Sequence, residues 1–147
     1  MGLGRRRTGA RIEEVLRVEV WARRQCRLAG GPGTSARARR EVHRLADQAL
    51  FVGRAVSQAS EGDAALVASE LVAHAEGACV LELTLASDGF DILVRGVPPP
   101  VPSRAGRAYV PWWDLVTRLA REITIGRAPS SGGGTIRVRI DTTCPPG

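Results

Sequence analysis

After Gly77 the apolar residues of this chain change their spacing from about 3.6 positions to about 2, and that switch limits what it can fold into. Cys79, Leu81, Leu83 and Leu85 alternate with Val80, Glu82 and Thr84. Ser87-Asp88-Gly89 has hairpin-turn chemistry, and Phe90, Ile92 and Val94 continue the apolar side on the return. A hairpin with one apolar face belongs to a sheet that something else must cover.

The cover is predicted from the helical patterns on either side. Ala29–Ser35, AGGPGTS, is a break, after which Thr34 or Ser35 supplies the N-cap of a helix beginning near Ala36. Val42, Leu45, Ala46, Ala49, Val52 and Val56 share its apolar face, with Arg37, Arg40, Arg44 and Gln48 opposite. Phe51 projects among those arginines, either as a rim contact at a helix end or as part of a partner-binding surface. Residues 58–62 interrupt the pattern, and a second helix is expected from about Asp63 to Glu76. Downstream, residues 97–107 form a proline-rich loop, and a helix from Pro111 carries Trp112, Leu115, Val116 and Leu119 inward. A short strand over Glu122–Gly126, a turn at 128–134 and a last strand through Ile136, Val138 and Ile140 complete the chain.

Residues 11–28 fit either a helix or a strand, with a strand near 24–28 as one outcome. The expected fold is α+β: a two-layer α/β sandwich whose mixed, mostly antiparallel sheet is covered on one face by about three helices. The expected organisation is a basic N-terminal extension over 1–28, one domain over 29–143 and a tail over 144–147.

The 147 residues suffice for one domain with a real core. No apolar run reaches the length of about 18 residues needed to span a bilayer, and the basic start MGLGRRRTGAR has no apolar segment behind it, so a cytoplasmic protein is expected. The net charge of +6 rests on arginine alone, since the chain has no lysine. Abundant Ala, Gly and Arg look like the codon bias of a high-GC genome, which weakens the arginine excess as a sign of nucleic-acid binding. Arg5–Arg7, Arg23–Arg24 and Arg37, Arg39 and Arg40 still favour acidic partners, whether nucleic acid or an acidic protein surface. Cys26, Cys79 and Cys144 are far apart and only two histidines exist, which argues against a zinc site or a disulfide framework.

In SELVAHAEGA, Ser69–Ala78, Glu70 stands one helical turn before His74 and on the same stripe as Asp63. A satisfied Glu–His pair at a helix edge would explain it without a ligand. The SSGGG run lacks the lysine of a P-loop. Trp112-Trp113 stands out among scarce aromatics: one ring belongs to the core, and the other fills a pocket or meets a partner.

Taken in order, ARARREVHRLADQAL, DAALVASELVAHA, VLELTLASDGFDILVRGVPPP and GGGTIRVRI resemble the small histidine-kinase-like (GHKL, Bergerat-fold) ATPase domains of bacterial anti-sigma factors. These are serine-kinase-like regulators, numerous in actinomycetes, and the resemblance spans Ser35 to Ile140. It implies that Glu70 occupies the general-base position of an E-L-x-x-N pattern and that His74 replaces the asparagine that helps hold magnesium. Gly96 then stands where an aspartate reads adenine, the phosphate-cradling loop corresponds either to Gly106-Arg107-Ala108-Tyr109 or to Val110-Pro111-Trp112-Trp113, and Thr135 is the remaining nucleotide-side position. An intact site of this kind would use ATP and Mg²⁺.

Here imidazole is a poor hard-oxygen substitute at Mg²⁺. Gly96 has no side chain to accept a hydrogen bond, and the prolines that follow lack N–H donors. The resemblance therefore implies a regulator acting by protein–protein binding, with weak or lost ATP binding and a sigma factor or anti-anti-sigma protein as partner. An active ATP-dependent serine kinase and an Arg-rich nucleic-acid-associated protein are the alternatives, and a homodimer stays open.

Overall fold

The hairpin forms the centre of the sheet. The computed structural model describes residues 18–75, 77–97, 111–127 and 134–142. Its elements run β1 (Val20–Leu28), α1 (Thr34–Phe51), α2 (Gln58–Ala73), β2 (Cys79–Ala86), β3 (Gly89–Val97), α3 (Pro111–Leu119), β4 (Glu122–Arg127) and β5 (Gly134–Ile140). The five strands lie in the order β1-β2-β3-β5-β4.

All four pairings among the described strands are antiparallel, so the sheet is not mixed as expected. The reason is the double helical excursion between β1 and β2. One helix would return the chain for a parallel strand, whereas two helices bring it back to the end where β1 stopped. Leu28, the last residue of β1, is accordingly paired with Cys79, the first of β2.

Strand alternation divides the sheet into two faces. Leu81, Leu83, Leu85, Phe90, Ile92, Val94, Ile136, Val138 and Ile140 are buried under the helices. Removing each such leucine or isoleucine side chain from water contributes about 2 kcal/mol. The other face carries Glu82, Thr84, Asp91, Arg95 and Arg137, and is crossed by ion pairs such as Arg137–Asp91 and Arg95–Glu82. α1 packs over β1 and β2, α2 over β3 and β5, and α3 against α2. The cover is therefore two helices on the sheet and a third flanking them, with Val116 of α3 fully buried.

The boundaries differ from the periodic reading at both ends of α1 and α2 and at β1: α1 ends at Phe51, short of Val52 and Val56, and α2 ends at Ala73, short of Glu76. β1 takes up Val20–Leu28, which the sequence reading assigned to the basic extension, so that segment is part of the sheet from Val20 onward. Tertiary pairing resolves the ambiguity, because β2 supplies the ladder that an isolated segment lacks. α1 begins at Thr34 with Gly33 as N-cap and no side-chain cap, because the Ser35 hydroxyl donates to the Ser69 carbonyl of α2 at 3.2 Å. α2 begins at Gln58, earlier than the apolar spacing indicates. Ser57 caps it by accepting from the Ser60 N–H at 3.1 Å, and the Ser60 hydroxyl donates to the Asp141 carbonyl at 3.2 Å. The polar 58–62 stretch is thus the first turn of a helix rather than a break. The prolines of 98–102 and the 144–147 tail lie outside the described residues.

Candidate functional site

α2 ends at Ala73, and His74 is its C-cap. One turn earlier Glu70 lies on the same flank, with its Oε2 3.7 Å from His74 Nε2. Both side chains are part-exposed, so the pair is weakly coupled, worth between about 0 and 1 kcal/mol. The stronger contact is aromatic. The His74 ring stacks on Trp112 of α3, with centroids 4.3 Å apart and planes inclined by 19°. Trp113 meets Trp112 edge-on at 5.6 Å. The imidazole face is thereby occupied by indole, and α3 is attached to the end of α2.

Gly96 lies at the same end of the sheet, at a register shift between Arg95 and Val97. Its φ is 103°, and a Cβ there would approach the Ala78 carbonyl oxygen to 3.1 Å and the Cys79 Cα to 3.5 Å. The backbone conformation and the closeness of β2 both select glycine. An aspartate at this position would need a different backbone, so its absence is built into the bulge.

Thr135 is not brought to this cluster. It pairs with Arg95 on one side and Gly126 on the other, and its neighbour Ile136 is buried beneath the helices. Alternation therefore turns Thr135 to the opposite face of the sheet from Glu70 and His74. Gly106 falls outside the described residues. Of the five positions that the resemblance singles out, Glu70 and His74 meet at the end of α2 and Gly96 lies beside the start of β2, while Thr135, level with Gly96 along the sheet, faces the other side.

Among the described residues no three His, Cys, Asp or Glu side chains gather as a metal site. With one imidazole stacked on indole, a lone carboxylate beside it and a glycine wedged against β2, these residues do not fit a nucleotide-bound Mg²⁺.

Sequence reasoning missed two further polar arrangements. Glu41, on α1, is 4% exposed and accepts from Arg24 Nε at 2.5 Å, while Arg44 Nη1 lies 3.3 Å from its other oxygen. Arg24 occupies a helix-facing position of β1, which is why a carboxylate can be buried on α1. The second is a shallow cleft of about 560 Å³ on the uncovered face, lined by Arg23, Gln25, Glu82, Thr84, Asp91, Leu93 and Arg137. Asp91 there is held by the Arg137 guanidinium and Glu82 by Arg95, which leaves Arg23 as the cleft's cation without a carboxylate among the described residues.

Cys26 and Cys79 are free thiols. Burial pushes the Cys26 thiol above its ordinary value, reinforced by Glu41 and opposed by Arg37 and Arg24. Burial likewise raises Cys79, with Cys26 adding to it. Neither is tuned as a nucleophile. No described helix is long and apolar enough to cross a membrane.

The chain matches no protein-family model and no curated protein sequence.

Proposed function

We propose that this is a cytoplasmic regulator of the anti-sigma-factor, histidine-kinase-like ATPase type, acting by protein binding with its ATP binding weak or lost. The partner by resemblance is a sigma factor or an anti-anti-sigma protein. The element order, two helices, a hairpin, a helix and two strands, supports this reading. The observation that carries the loss of nucleotide chemistry is the His74–Trp112 stack: the position of the magnesium ligand is spent on anchoring α3. Gly96 adds to it, since its φ of 103° and the Ala78 carbonyl 3.1 Å from a would-be Cβ oppose the residue that would read adenine.

Titration calorimetry with Mg-ATP tests this. No saturable heat is expected at concentrations up to about millimolar, where a Kd corresponds to roughly −4 kcal/mol. Saturable binding well below that would overturn the reading. The His74→Asn variant is expected to stay equally silent, because Gly96 still presents nothing to adenine. Recovery of binding by that single change would show that the site is not multiply disabled.

A further inference from the structure

We propose that the outer edge of β1 is the docking site for an acidic, extended segment of a partner protein, which adds to the sheet as a further strand. This deepens the protein-binding reading above and rests on it.

β1 ends the sheet: β2 pairs with one side of it, and no described strand pairs with the other. From Ala22 to Leu28 the ladder runs without a register shift, and the nine-residue strand contains no proline. Such an edge presents a row of amides and carbonyls that template another strand. Its flanks are cationic on both sides. Arg23 and Arg27 alternate onto the uncovered face, and Arg37 of α1 lies close enough to β1 to act on Cys26. None of these three has a carboxylate partner among the described residues.

The bond from Arg24 to Glu41 fixes which flank of α1 overhangs the edge. At helical spacing, Arg37, Arg44 and Phe51 fall on the outer side of Glu41, away from the core. Phe51 is 93% exposed. It lies towards the start of β1, where nearby Arg54 bonds Glu19 at 3.1 Å. A strand laid along this edge would therefore set its carboxylates beside Arg27 and Arg37, towards the Leu28 end.

Charge decides the occupant. A second copy paired through β1 would bring Arg23, Arg24 and Arg27 against the same cations, which repel. Nucleic acid would satisfy the arginines but has no peptide groups to pair with the edge.

The test uses the full chain and a labelled peptide as long as β1, alternating Glu with Val. It adds the same peptide N-methylated at alternate amides, and a single-stranded oligonucleotide of equal charge. The plain peptide is expected to bind and to slow hydrogen exchange at β1 amides. N-methylation, or the double variant Arg27→Glu/Arg37→Glu, is expected to weaken binding by about tenfold or more.

Equal binding of the N-methylated peptide would overturn strand addition, as would equal protection of β1 by the oligonucleotide. Peptide binding that appears only in a Glu13→Gln/Glu14→Gln variant would mean that the chain's own N-terminal segment takes the edge. A dimer dissociated by the peptide would assign the edge to a second copy, and either result overturns the proposal. Saturable Mg-ATP binding would sink the lost-nucleotide reading and leave this edge standing. A silent calorimeter with no peptide bound would sink the edge alone.

Discussion

Gly89 closes the central hairpin at φ 139°, and a Cβ there would lie 2.1 Å from the Ile140 carbonyl oxygen of β5. Gly62, inside α2, has no atom within 4 Å of its would-be Cβ. The two should respond oppositely to alanine. Gly89→Ala is expected to cost about 2 kcal/mol or more, because both the backbone region and the neighbouring strand oppose it. Gly62→Ala is expected to gain about 0.5–1 kcal/mol from helix propensity. Urea unfolding checks both: the midpoints should move in opposite directions with unchanged slopes. In sequence both glycines read as breakers, and only their surroundings separate them. The same limit applied at Gly96, whose place at a register shift against β2 was not legible in sequence. Glu70 and His74 were legible as neighbours, because a helix places residues four apart on one flank.

At the scale of elements, α3 is the one whose attachment depends on few contacts. It packs against α2, with Val116 buried and Trp112 stacked on His74. Trp112→Ala is expected to cost about 2 kcal/mol, from lost burial and the lost ring contact. Hydrogen exchange should then quicken in α3 before it does in β2 and β3, whose ladders do not involve it. Uniform loss of protection across the sheet would show that α3 is not a separate unit. The tryptophan pair was conspicuous in sequence, but its partner was not, since stacking joins elements separated by the whole hairpin. The start of α2 was misread for a related reason. Ser57 and Ser60 cap and tie the first turn through polar bonds, and an apolar period does not register them.

For the whole molecule, the paired layers place Cys26 and Cys79 between the sheet and its helices, and burial holds both thiols above their ordinary value of 9.0. The folded protein therefore keeps protons that the unfolded chain releases once pH passes that value. Bound protons then favour the folded state, so stability falls as pH rises further. Unfolding free energies measured between about pH 8 and pH 10 should decline, and Cys26→Ala/Cys79→Ala should flatten that decline. An unchanged slope in the double variant would assign the alkaline loss to other groups. The sequence by itself determined the α+β class, the hairpin, the apolar face of β5 and that of α1 as far as Ala49, because spacing dictates which side of an element each residue takes. Only the tertiary structure decided that Val20–Leu28 is a strand at the edge of the described sheet, that the described strands all pair antiparallel, that indole covers His74 and that Thr135 faces away. Each of these depends on where distant segments meet, and local periodicity carries no record of that.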